Sequence, residues 1–178
     1  MAYTTESAVR LRPLNRGEDE RMERLFYRLT PETIYRRFMT HYSDPQALRP
    51  LLDVDGHARV AVVAVDAHEE IVGVARYSRL TADPDTAEIA VVVQDDLQGR
   101  GIGLKLLVEL REMARADGVR HFTGTMLAGN TACAKVVTRA FPGVVLRTTN
   151  GETSFNADLR ARCSASQSLT RRGRKRAG

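Results

Sequence analysis

The chain has 178 residues, is 43% hydrophobic and carries a formal charge of +5, which suits one domain with its own core. Its apolar runs, such as residues 61–65, fall far short of the ~20 needed to span a bilayer, and residues 1–7 show no basic, apolar export leader, so a cytoplasmic protein with no membrane contact is expected. Six of the positive charges lie in residues 161–178 without a single Asp or Glu, so residues 1–160 read as a near-neutral domain and 161–178 as a basic tail too poor in apolar residues to order itself.

Residues 9–12 alternate apolar and charged (Val9, Arg10, Leu11, Arg12), the pattern of a half-buried strand, and Pro13 follows. Between residues 18 and 29, Met22, Leu25, Phe26 and Leu29 recur at helical spacing. Thr30 with Pro31 is a helix start, since the proline's missing N–H costs nothing in the first turn; Ile34, Tyr35 and Phe38 follow it. Tyr27, Tyr35 and Phe38 are expected to pack into the core. Asp44 and Pro45 repeat the start signal before Leu48, Leu51 and Leu52.

From residue 58 the period changes. Residues 58–66, 71–80 and 86–93 are rich in Val, Ile and Ala, and the joints 67–70 and 82–85 are short, so three antiparallel strands in a meander are expected. Residues 101–117 carry the stripe Ile102, Leu106, Leu107, Leu110, Met113 and Ala114, stopped by Gly118. A strand at 122–127, a helix at 131–139 and a hairpin of 144–148 with 153–158 around Asn150 and Gly151 complete the domain. His41, His57, His68 and His121 are scattered, and Cys133 and Cys163 have no ligand spacing, so neither a metal nor a disulfide is expected.

The chemistry concentrates where the strand 86–93 meets the long helix, through Gln98, Gly99, Arg100, Gly101, Ile102 and Gly103. A helix N-terminus offers unpaired N–H groups and a partial positive charge, and glycines let a phosphate come close. The P-loop ending of Gly-Lys-Ser/Thr is missing, and an antiparallel meander is the wrong setting for a dinucleotide fingerprint.

Gln98, Gly101 and Gly103 at this spacing, after a strand and before a helix, resemble the acyl-CoA signature of the GNAT (Gcn5-related N-acetyltransferase) superfamily; residues 88–141 are the specific part of the match. The segment 30–38 further resembles bacterial Pat-type protein lysine acetyltransferases. The resemblance implies an α/β (α+β) fold with a mixed, mostly antiparallel sheet of six to seven strands flanked by helices. It implies acetyl-CoA as acyl donor, with Val91, Val92 and Val93 along the pantetheine, Gln98, Gly99, Arg100, Gly101, Ile102, Gly103 and Leu104 around the pyrophosphate, and Asn130 beside either. It also implies an amine acceptor, foremost a protein lysine, with a small amine as the alternative. Glu88 matches in position the family's general base; read without the family, it is a strand-end carboxylate facing solvent. The tyrosine that many members use toward the leaving thiolate is replaced by Val136, which leaves a CoA-sensing module without turnover as a further alternative. Cys133 reads as a core residue, Asp95 and Asp96 as loop caps, and Arg36 and Arg37 equally as solvated charges or as acceptor or CoA contacts. The expected assembly is a monomer or homodimer, and the basic tail could add salt-dependent contacts to nucleic acid or an acidic partner.

Overall fold

A computed structural model describes residues 9–39 and 53–160; the expected helix after Asp44 and Pro45 and the basic tail lie outside them. In chain order the described strands and α-helices are β1 (Arg10–Pro13), α1 (Asp19–Tyr27), α2 (Pro31–Phe38), β2 (Arg59–Val65), β3 (Ile71–Leu80), β4 (Asp83–Val93), α3 (Ile102–Ala116), β5 (His121–Leu127), α4 (Thr131–Ala140), β6 (Val145–Thr149) and β7 (Glu152–Asp158). Among the described residues they form one seven-stranded sheet in the order β1-β2-β3-β4-β5-β7-β6. Every neighbouring pair is antiparallel except β4 with β5.

Helices cover both faces. Val60, Val62 and Ala64 of β2 pack with Leu106, Leu107 and Leu110 of α3, while Ala61, Val63 and Val65 pack with Leu25 and Phe26 of α1 and Ile34 of α2. A strand buried on both sides has no polar face to show, which accounts for the uninterrupted apolar run at 61–65. Thr30 caps α2 as expected, its hydroxyl accepting from the Thr33 N–H at 3.2 Å. Asn150 and Gly151 take φ of 51° and 80°, the left-handed pair that a tight hairpin requires.

Two expectations change. The joint at 82–85 shrinks to a turn at Thr81 and Ala82, and β4 begins at Asp83, paired with Leu80. Asp83 pins this start by accepting from the Asp85 N–H at 3.2 Å and the Thr86 hydroxyl at 2.6 Å. Tyr27, expected in the core, is 71% exposed, and Tyr35 is exposed as well. On α1 the apolar face is already filled by Met22, Leu25 and Phe26, and on α2 Ile34 takes the inner position.

The feature that makes the site is the parallel seam. It has only three pairs, Thr86 with His121, Ala87 with Phe122 and Glu88 with Thr123. Beyond Glu88, β4 stays paired with β3 as far as Val93, and β5 stays paired with β7 as far as Leu127. The sheet therefore opens into a wedge between residues 89–93 and 124–127. At its root the Phe155 ring lies over Gly124, where an added Cβ would come within 2.9 Å of the ring and 3.3 Å of the Ile89 carbonyl oxygen.

Candidate active site

The wedge holds a cavity of about 710 Å³. One wall is β4 from Glu88 to Val93, the other is Thr125, Met126 and Phe155, and the N-terminal turns of α3 and α4 close the mouth. Neither helix carries an acidic residue in its first turn, so both positive ends reach the cavity without internal neutralisation.

At the α3 entry, Gly99 and Gly101 take φ of 76° and 79°, a backbone that side chains with a Cβ adopt at a cost. Gly103 has a different reason. It is helical, and a Cβ there would meet only Val136 and Val93, each at 3.8 Å. Neither conformation nor packing demands glycine, so close approach of a ligand to this backbone is what its missing side chain allows. The first N–H groups of α3 have no partner inside the helix. The cavity volume, these amides and the glycine cradle together fit the pyrophosphate and pantetheine of an acyl-CoA substrate.

Gln98 is engaged by the protein. Its side-chain amide donates to the Val93 carbonyl at 3.0 Å and to the Thr33 hydroxyl at 3.4 Å, so it closes the turn and ties it to α2. Asp95, expected as a loop cap, extends that tie: its carboxylate accepts from the Thr30 N–H (2.9 Å), the Thr30 hydroxyl (2.8 Å) and the Thr33 hydroxyl (2.6 Å). Burial pushes this carboxyl up, and the hydrogen bonds from Thr33 and Thr30 outweigh it, leaving Asp95 below its ordinary range. Arg100 is exposed and donates to the Asp96 carbonyl at 3.1 Å. Ile102 is buried and Leu104 half-buried, and both line the cavity.

Glu88 is exposed, yet it lies inside β4 at the last pair before the seam parts and lines the cavity. Ile89 and Val91 turn to the α3 side and Val92 to the α1 and α2 side. Asn130 caps α4, its side-chain oxygen accepting from the Cys133 N–H at 3.1 Å. Cys133 is half-buried and packs on the core while bordering the cavity; burial pushes its thiol up, opposed by Arg37. Val136 lines the cavity too.

Arg36 and Arg37 separate. Arg36 borders the cavity but is exposed and paired with Glu32 at 2.5 Å. Arg37 is half-buried and lines the cavity. Its position three residues after the buried Ile34 is the signal that marks it as inward-facing. Thr125, Met126, Lys135, Arg139, Glu152 and Phe155 also border the cavity; they come from elements distant in sequence, and no local pattern marks them.

A sheet opened at a parallel seam, with a glycine-cradled helix N-terminus at its mouth and a carboxylate at its root, defines an acyl-CoA-dependent acyltransferase. The chain belongs to the acetyltransferase (GNAT) family, whose model matches residues 20–141. It is 33% identical over 129 residues to Acetyltransferase PA5475 of Pseudomonas aeruginosa, covering 70% of this chain and 69% of that protein. It is 35% identical over 131 residues to Acetyltransferase Pat of Mycolicibacterium smegmatis, covering 72% of this chain and only 39% of that longer protein. The crystal structure of the GNAT domain of S. lividans PAT superposes with a TM-score of 0.76 at 28% identity, over 84% of this chain and 90% of that one. Among the described residues no helix is long and apolar enough to cross a membrane.

Proposed function

We propose that this chain transfers the acetyl group of acetyl-CoA to a primary amine, with a protein lysine side chain as the favoured acceptor, by direct attack assisted by Glu88 as general base through water. The observation that carries the reading is Glu88 itself: a carboxylate on the cavity wall, where the seam parts. A lysine amine with an ordinary pKa near 10.4 is neutral in only about one copy in a few thousand at pH 7, so a base beside the reacting carbon is useful. In this reading the amides of residues 98–104 hold the pyrophosphate, the β4 edge at Val91, Val92 and Val93 follows the pantetheine, and Asn130 orients the start of α4. The half-buried α2, with Arg37 and Phe38 on the cavity side, forms the acceptor wall.

The protein incubated with radiolabelled acetyl-CoA and a cell lysate is expected to place label on protein lysines in a Glu88-dependent way. Label confined to the small-molecule fraction would replace the lysine by a small amine, and tight acetyl-CoA binding with no CoA released by any amine would replace the enzyme by a sensor.

A further inference from the structure

Arg37 borders the cavity from the last turn of α2. Its guanidinium carbon sits 4.7 Å from the centre of the Phe38 ring, and among the described residues no carboxylate forms an ion pair with it. The groups that act on it come from three elements: Arg76 on β3, Glu88 on β4 and Cys133 on α4. Arg76 adds to the positive side. Its Nη2 donates to the Ser78 hydroxyl at 2.8 Å, while Nη1 is buried with no hydrogen-bond partner among the described residues. Arg37 and Arg76 also share a small cavity beneath α1 and α2. Glu88 acts on both guanidiniums, and Arg59 and Asp53 act on Arg76 besides. Desolvation first, and repulsion by Arg76 second, pull Arg37 down to about 10, so it stays charged through the neutral range. A charge held partly out of water with no ion-pair partner among the described residues is costly, and the cost is offset when an anion forms beside it.

The transfer reaction forms such an anion. Attack by the amine nitrogen on the thioester carbon makes the C–N bond and breaks the C–S bond. The electron pair stays on sulfur, and the amine proton passes through water to Glu88. At the position where a tyrosine would meet that sulfur stands Val136, which has no proton to give. Cys133 and Val136 are three residues apart on one face of α4, and both border the cavity. The field of Arg37 already reaches the Cys133 sulfur on that face. We infer that Arg37 stabilises the departing CoA thiolate by charge, in place of a tyrosine that would protonate it, and that the thiolate takes its proton from solvent after leaving. This rests on the direct-transfer reading above.

The test needs no acceptor. Thiolate absorbance is followed across pH for CoA bound to the protein, with the complex of a CoA analogue lacking the sulfur subtracted to remove Cys133 and Cys163. In the wild type the bound thiol is expected to ionise about one unit or more below free CoA, as a neighbouring opposite charge dictates. Arg37→Gln is expected to return it to the free value and Arg37→Lys to keep most of the shift, with CoA affinity by calorimetry confirming an intact site in each. A wild-type thiol that ionises like free CoA, or the same depression in Arg37→Gln, overturns the inference and leaves the acetyltransferase reading standing. Failure of the wild type to bind CoA at all removes both.

Discussion

Within the α3 entry, glycines of identical chemistry have different tasks, and substitution separates them. Gly101 holds φ of 79°, so Gly101→Ala is expected to cost about 1–2 kcal/mol of folding stability. Gly103 is helical with 3.8 Å to its nearest side-chain neighbours, so Gly103→Ala is expected to leave stability unchanged or raise it by up to ~1 kcal/mol. It should nonetheless weaken acetyl-CoA binding at least about tenfold. Urea denaturation read beside calorimetry decides; equal behaviour of the two variants would refute the division of roles. For Glu88, replacement by Gln keeps the shape and removes the proposed base. A fall in kcat/KM of roughly 10²–10³ is expected at neutral pH, narrowing as the pH approaches that of the free amine's ionisation; a deficit unchanged across pH would point to a structural role. Glu88 was legible as an acid in an apolar strand, whereas its place at the parting of the seam follows from pairing with Thr123 on β5, thirty-five residues away.

At the scale of elements, the N-terminal layer is held to the sheet by an ion pair out of water. Arg12 on β1 forks onto Glu18, just before α1, at 2.6 and 2.7 Å, and the two side chains are 15% and 12% exposed. The Arg12 hydrogen bond, with help from the Asn15 N–H against the opposing effect of burial, lowers the Glu18 carboxyl from 4.5 to about 2. Because the folded value is depressed, this stability is fully present above the unfolded value near 4.5 and is lost as pH falls from there toward about 2. The loss should amount to roughly 2–3 kcal/mol, and Glu18→Gln should flatten that acid slope in denaturation curves taken between pH 6 and 3. Among the described residues the elements were readable from periodicity and caps: α2 starts at Thr30 and Pro31 as its residues dictate. The bundle of hydrogen bonds from Thr30 and Thr33 to Asp95 was not readable, because it joins segments sixty-odd residues apart.

At the scale of the whole molecule, the cavity depends on a sheet whose β4 and β5 stop pairing after Glu88. Phe155 over Gly124 sits at that point, stacked on Phe141, which in turn meets Phe122 edge-on. Gly124→Ala puts a methyl within 2.9 Å of the Phe155 ring and is expected to destabilise the fold by about 1–3 kcal/mol through overpacking. Displacing Phe155, a wall of the cavity, should weaken acetyl-CoA binding as well. Thermal unfolding with and without acetyl-CoA checks both, and a variant as stable as the wild type would show that the ring is not a fixed wedge. The sequence by itself determined the order of elements, the caps, the glycine turn and the family, because each is written in residues that are neighbours along the chain or one helical turn apart. Only the tertiary structure decided where β4 and β5 part, which of the two cavity-lining arginines, Arg36 and Arg37, is drawn partly out of water, and that Gln98 is held by Val93 and Thr33. Those outcomes depend on contacts between distant segments, where packing and charge choose among arrangements that local pattern leaves equal.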